Sequence, residues 1–254
     1  MSAPPSDAAT MLEQSQWDSF WVPPDVQVTD REDLLLLGCD RPVSYLNTVL
    51  RARGELPERL AEVLRLQGAR HTRWMVTDTR DPAPVEALLD RAGWRPGPLH
   101  EVRSLGLERW RHTRTQSTCP VLSEHRLRQA VTVGALAFGG TPHFDEVSLG
   151  LDLKICQEQQ RVFRYVVEVD GEPAGTAGLT SFPKLGFGLL WGGGVLPQFR
   201  GRGAYSALLD ARVEQARHLG LRRVGLYALH NTSAPIVARF GFEKSGIMRF
   251  YERP

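Results

Sequence analysis

The sequence predicts an α/β (α+β) fold in two successive halves, and three observations carry that prediction. An apolar run from Leu185 to Leu196 leads through a glycine-spaced basic turn into an amphipathic helix. Two segments of alternating apolar and polar residues, Arg161 to Val169 and Pro173 to Phe182, flank the turn Asp170-Gly171-Glu172 and read as a hairpin. The order helix, glycine stop, strand, helix and Gly-aromatic pair occurs twice, ending first at Trp94 and then at Phe242.

In the first half, Leu56 to Leu66 has helical spacing and Gly68 stops it. Arg73 to Thr77 then reads as a strand and Pro84 to Ala92 as a helix, closed by Gly93-Trp94. In the second half, Glu124 to Phe138 suits a first helix, followed by the hairpin and by the Leu185 to Leu196 strand. That strand's end is softened by Gly192, Gly193 and Gly194. Ala204, Leu208, Leu209, Val213, Ala216 and Leu219 form the apolar stripe of the next helix, with Asp210, Arg212, Glu214, Gln215 and Arg217 mostly off it and Gly220 as its stop. Arg222 to Leu229 is a strand, and Ser233 to Phe240 a short helix with Pro235 in its first turn. Gly241-Phe242 closes that helix, and Lys244 to Tyr251 is the last strand. The stopping and closing glycines stand 25 residues apart in the first half and 21 in the second, so what repeats is element order. Between the halves, Arg109 to Cys119 is polar, basic and aperiodic, which predicts a linker and domains at 1–112 and 118–254.

A chain of 254 residues suits two small domains better than one. Its 31 Lys plus Arg against 29 Asp plus Glu give a net charge of +2, which argues against a general role on nucleic acid or a membrane surface. No stretch approaches the apolar length of a membrane span, and Met1 to Asp30 has no signal-peptide core. The expectation is a soluble, cytoplasmic protein, a monomer or homodimer. Cys39, Cys119 and Cys156 are odd in number and lack C-x-x-C spacing, so neither a disulfide framework nor a metal site is expected. Asn231-Thr232-Ser233 fits a glycosylation sequon but reads better as a polar turn capping the following helix.

The stretch Gly194-Val195-Leu196-Pro197-Gln198-Phe199-Arg200-Gly201-Arg202-Gly203-Ala204-Tyr205 joins strand to helix. Gly201 and Gly203 let a ligand approach the main chain, and the free N–H groups of a helix start, with the positive end of its dipole, favour a phosphate. Arg200 and Arg202 add positive charge there. Gln198-x-x-Gly201-x-Gly203-Ala204 resembles the Q/R-x-x-G-x-G/A signature of the GNAT superfamily of acyl-CoA-dependent N-acyltransferases. The strand, helix, Gly-Phe and strand that follow resemble its closing elements, so the likeness covers roughly residues 118 to 254. The resemblance implies a GNAT fold with a central mixed sheet flanked by helices, and acetyl-CoA as cosubstrate. It implies loop amides that hold the pyrophosphate and a strand bulge around Gly193 to Leu196 that admits the pantetheine. The N–H near Val195 would polarise the thioester carbonyl. The cofactor residues so implied are Val195, Leu196, Gln198, Phe199, Arg200, Gly201, Arg202, Gly203, Ala204, Tyr205 and Asn231. Before the Leu56 helix, Gly54 stands alone among Arg51, Arg53 and Glu55. The first half is therefore either a degenerate GNAT-like domain without a cofactor loop or an unrelated small α/β unit.

Acyl transfer to an amine needs a neutral nucleophile, a route for its proton, an oxyanion donor and often an acid for the departing thiolate. The resemblance implies direct attack without an acyl-enzyme. Many relatives place a tyrosine four residues before the Gly-Phe pair, where this chain has Val237. His230, which ends a strand where α/β sites open, and Tyr227 on that strand are the catalytic candidates; Tyr251 on the last strand is a third. Leu185 to Leu196 contains no acid, so Glu168 and Asp170 are the nearest candidate bases, with a water relay as the alternative. The connection Phe138 to Glu146 is the expected acceptor segment: Phe138, His143 and Phe144 offer contact, while Asp145 and Glu146 offer charge for an amine. Trp191 is either substrate wall or core. These residues point to an acetyl-CoA-dependent N-acetyltransferase of a small primary amine. The alternatives are a non-catalytic acyl-CoA-binding or regulatory module and an aminoacyl-tRNA-dependent transferase. The intact pyrophosphate loop and near-neutral charge weigh against the last.

Overall fold

Asp7 starts the first helix, α1 (Ala8–Ser15), its carboxylate accepting from the N–H groups of Ala9 and Thr10. Two short strands follow, β1 (Gln27–Asp30) and β2 (Leu34–Gly38). All five residues of β2 are buried, which explains its unbroken leucines. Then come β3 (Thr48–Ala52), α2 (Leu56–Gln67), β4 (Thr72–Thr77), α3 (Ala83–Arg91), the two-residue β5 (Arg95–Pro96) and β6 (His100–Gly106). The second series is β7 (Ser117–Pro120), α4 (Glu124–Ala137), α5 (Glu146–Glu158), β8 (Val162–Val169), β9 (Glu172–Phe182), β10 (Phe187–Val195), α6 (Ala204–His218), β11 (Arg223–Leu229), α7 (Ser233–Arg239) and β12 (Glu243–Arg253). The computed structural model describes residues 7–41, 44–111, 116–158 and 160–253. Among them no helix is long and apolar enough to cross a membrane.

Two compact units emerge, one of Ser104–Leu226 and one of Pro5–Arg103 with Tyr227–Pro254. This division differs from the expected 1–112 and 118–254 because β12 pairs antiparallel with β4, from Met248↔Thr77 to Arg253↔Thr72. The C-terminal strand therefore completes the sheet of the first half. In that unit β1, β2 and β3 form an antiparallel meander, β3 runs parallel to β4, and β5 adds to β12. Leu34, Leu36, Val49, Val63, Trp74 and Trp94 centre its core. In the other unit β7, β8, β9 and β10 are antiparallel in order and β10 runs parallel to β11. An antiparallel pair, a helical crossover and a parallel strand thus occur in both units, as β2-β3-α2-β4 and β9-β10-α6-β11. The repeat read from element order is a repeat of topology.

Local geometry agrees. Gly93 and Gly241 have φ of 81° and 84°, and the next N–H turns back five residues in both, Trp94 to Leu89 O at 3.0 Å and Phe242 to Val237 O at 3.2 Å.

The expected linker is ordered where it is described. Leu107–Arg109 is a turn of 3₁₀ helix, Trp110 is buried with its indole N–H donating to Asp210 at 2.7 Å, and Ser117 already belongs to β7; residues 112–115 lie outside the described ones. This segment also corrects the reading of α6. Asp210 and Arg212, expected off the apolar stripe, are buried because α6 packs on the sheet and is covered by the 107–110 turn. The turn is tied to α6 from the other side by Arg217, which donates to the carbonyls of Leu107 and Trp110.

Candidate functional site

The strand-to-helix junction is built by backbone that glycine permits. Gly203 is the N-cap of α6 with φ 82°, and Gly201 has φ 74°, both in the left-handed region. No side chain caps α6 and no acid sits in its first turn, so the leading N–H groups, from Ala204 on, and the helix dipole remain available to an anion. Ala204 is buried, Tyr205 half-buried, and Gln198 and Arg200 exposed. The two arginines are not equivalent: Arg202 donates to Asp170 at 2.5 Å, while Arg200 turns back to the Val195 carbonyl at 3.1 Å. Asp170 therefore already compensates part of the turn's charge. Phe199 is buried and lies 5.9 Å from the Arg202 guanidinium.

The bulge lies slightly earlier than expected. Trp191 pairs with Gly178 and Gly194 with Thr176, so Gly192 and Gly193 together oppose Ala177. Gly192 takes φ 58°. Val195 is back in register with Gly175, and the next residue, Leu196, donates its N–H to Ala174 O at 2.9 Å. By the alternation of an antiparallel ladder, the N–H and C=O of Val195 therefore face away from β9. Its carbonyl does so visibly, since it accepts from Arg200. On that edge the parallel pairing of β10 with β11 runs from Phe187↔Arg223 only to Leu189↔Gly225, leaving the bulged end of β10 beyond the register.

A pocket of about 370 Å³ opens beside the bulge, lined by the end of α4 (Val131, Gly134, Ala135, Phe138) with Gly140, Arg164, Thr176 and Gly192. Of the expected acceptor residues, only Phe138 lines it, 67% exposed at its rim. His143 and Phe144 are exposed, and the Phe144 ring lies 5.3 Å from the Arg128 guanidinium. Asp145 accepts from the Ser148 N–H and hydroxyl, and Glu146 pairs with Arg128. These acids are engaged rather than held out for an amine. Trp191 anchors its indole N–H on Thr180 at 2.9 Å and lies flat on Gly178, where any Cβ would meet the ring at 2.2 Å.

The candidate bases Glu168 and Asp170 are held by Arg126 and Arg202 respectively. Cys156 is buried, which pushes its thiol up to about 11 and leaves it a poor nucleophile.

The residues from Tyr227 on, the end of β11 and α7, belong to the other unit. His230 follows β11, its N–H donating to Leu99 O at 3.0 Å, and its Nδ1 lies 2.8 Å from Glu101. Glu101 is 5% exposed and accepts from Arg103 Nε at 2.7 Å, with Lys244 at 3.7 Å. Burial alone would push the Glu101 carboxyl up; hydrogen bonds from His230 and Arg103 and the charges of Arg103 and Lys244 bring it below its usual range. Sequence reasoning did not single out Glu101. A carboxylate holding one ring nitrogen fixes the histidine's tautomer and leaves the other nitrogen for proton transfer.

Tyr227 is different, because its hydroxyl is enclosed without a hydrogen-bond partner, and burial, with Glu13 nearby, raises its pKa strongly. Such a phenol is a weak proton donor. Tyr251 is 3% exposed in the core formed with Trp74, and Val237 is fully buried. Asn231 is exposed, and Thr232 caps α7 by position without a side-chain hydrogen bond, so the expected capping turn is not formed by its hydroxyl.

The profile of the acetyltransferase (GNAT) family matches residues 135–242, the span from the end of α4 to the Gly-Phe closure. The likeness to that family covers this span. Solved structures extend the likeness of fold to the whole chain. A GCN5-related N-acetyltransferase from Kribbella flavida superposes with a TM-score of 0.72 at 17% identity, over 98% of this chain and 96% of that one. A tandem GNAT protein from the clavulanic acid biosynthesis pathway gives 0.65 at 15% identity, over 99% and 90%. A GCN5-related N-acetyltransferase from Sphaerobacter thermophilus gives 0.61 at 16%, over 100% and 95%. A search of curated proteins finds no match. The GNAT fold is therefore present in tandem, with the loop of the family signature in the second copy alone.

Proposed function

We propose that this tandem GNAT chain is an acetyl-CoA-dependent N-acetyltransferase acting on a primary amine of a small molecule. The observation that carries the reading is the uncapped N-terminus of α6, reached through two left-handed glycines directly after a bulged strand end. It fits a pyrophosphate, because anions are favoured where free amides and the helix dipole converge. The amides from Gly201 to Tyr205 hold that group, Arg200 supplies the less compensated charge, and Leu196 and Phe199 keep the turn in place. The Val195 N–H, facing away from β9, serves the carbonyl oxygen of the acyl group. When bound, acetyl-CoA supplies an acetyl group activated as a thioester; transfer forms a C–N bond and breaks the C–S bond, with the electron pair leaving on sulfur. The amine gives up its proton as the C–N bond forms, to a base or a water relay. The test is calorimetric titration with acetyl-CoA together with acceptor-dependent thiol release. Absence of binding at millimolar cofactor defeats the reading.

One observation favours a second reading, a non-catalytic acyl-CoA-binding module. Val237 is buried at the position of the tyrosine acid of many relatives, and the Tyr227 hydroxyl is enclosed. This reading expects cofactor binding with no turnover of any amine, and a single acceptor that releases thiol above background rejects it.

A further inference from the structure

The pocket beside the bulge contains a cation without a counter-ion. Arg164, on β8, reaches under α4; its Nε is enclosed with no hydrogen-bond partner, and its Nη2 makes one long contact, 3.3 Å to Ala130 O. The Trp191 ring lies 5.8 Å from its guanidinium. Among the described residues no carboxylate forms an ion pair with it, although Asp152 on α5 acts on it from farther away. Burial disfavours its charged form, as expected for a guanidinium taken out of water without a partner. Gly134 faces the guanidinium, and a Cβ there would lie in ordinary contact with Nη2 at 3.8 Å. The remaining walls are apolar or small, chiefly Val131, Ala135 and the ring of Phe138.

A half-buried guanidinium without an ion-pair partner is costly unless something satisfies it. Planar N–H groups in a fixed fork match a carboxylate in charge and shape. Resting on the acetyltransferase reading above, we propose that Arg164 receives a carboxylate of the acceptor. The substrate class is then an amine that also carries a carboxylate and an apolar side chain, as an apolar α-amino acid does. The carboxylate lies against Arg164, the side chain against Val131, Ala135 and Phe138, and the amine is turned toward the bulge. A volume of about 370 Å³ suits a molecule of that size and is too small for a peptide several residues long.

Matched acceptors test this with acetyl-CoA and the full chain. L-Phenylalanine is compared with phenethylamine, which differs by the carboxylate alone, in wild type, Arg164→Gln and Arg164→Lys. Wild type is expected to prefer L-phenylalanine by about 30-fold or more in kcat/KM, mainly through KM, in the range of a charge-assisted hydrogen bond. Arg164→Gln reduces the preference to within about threefold and Arg164→Lys retains part of it, with acetyl-CoA affinity unchanged in both. A wild-type preference for phenethylamine, or a preference that survives in Arg164→Gln, overturns the assignment. If Arg164→Gln loses acetyl-CoA binding through misfolding, the wild-type ratio and Arg164→Lys decide. Calorimetric titration of L-phenylalanine onto CoA-saturated protein separates the two claims. Arg164-dependent binding without turnover of any amine keeps the carboxylate site and rejects acetyl transfer. Turnover of phenethylamine without L-phenylalanine binding rejects the site and keeps acetyl transfer. Neither binding nor turnover rejects both.

Discussion

The chain contains two strand-turn-helix junctions of the same topology, β3 to α2 and β10 to α6, and they differ in what they offer an anion. Each has a glycine in the left-handed region, Gly54 at φ 80° and Gly203 at φ 82°, so glycine freedom does not distinguish them. The chemistry of the helix start does. At α2, Glu55 is the N-cap, Pro57 removes one leading N–H and Glu58 adds an acid in the first turn. At α6 the helix start has no acid and no proline, and neither helix has a side-chain cap hydrogen bond. The arginines of the first junction are also committed elsewhere, with Arg51 and Arg53 guanidiniums 5.0 and 5.3 Å from the Trp17 ring centroid. A phosphate site thus depends on keeping competing negative charge away from the helix dipole as much as on a flexible turn.

The strongest challenge to this comparison concerns what the copies share. Trp94→Ala and Phe242→Ala should each cost about 3–5 kcal/mol by denaturant unfolding, because both rings close a helix onto a core. A loss under about 1 kcal/mol for either would show that the two closures are not equivalent.

Next comes the difference itself. Gly203→Asp should weaken acetyl-CoA binding about 100-fold, or about 2.7 kcal/mol, through backbone strain and added negative charge. Gly54→Asp should leave it within twofold, and calorimetry compares the pair directly.

Glu101→Gln should leave acetyl-CoA affinity unchanged, since it perturbs the histidine rather than the loop. It should also flatten the acid side of the stability profile. The folded Glu101 pKa lies below its ordinary 4.5, so its contribution is present above that pH and lost as pH falls through the folded value. Denaturant melts between pH 3 and pH 7, roughly the carboxylate range, check the sign.

Within the loop, Arg200→Gln should weaken acetyl-CoA by about fivefold and Arg202→Gln by only about twofold, because Asp170 already compensates Arg202. Equal effects in the titration would mean that this ion pair opens when the cofactor binds.

Most of the second copy was legible from local pattern. The hairpin turn is Asp170 at φ 55° and Gly171 at φ 82°, the pair that a two-residue connection demands, and α6 begins and ends at its glycines. The first copy's α1, β1, β2, β3, β5 and β6, and α5 and β7 in the second, went unread. The last lies in a basic stretch whose strand character comes from pairing with β8. Asp210 and Arg212 misled for the same kind of reason: their polarity argues for solvent, while a distant turn covers them and supplies Trp110 as a partner.

Residue order alone specified the repeat, the anion-ready junction and its confinement to one copy, because glycine freedom, helix periodicity and first-turn charge act within a few residues. Tertiary structure decided which polar groups face one another. Glu101 meets His230 across 129 positions, and Arg164 meets Ala130 across 34 while pairing with no carboxylate among the described residues. Those relations depend on sheet register and helix docking, and a shift of one residue along a strand would turn each side chain to the opposite face.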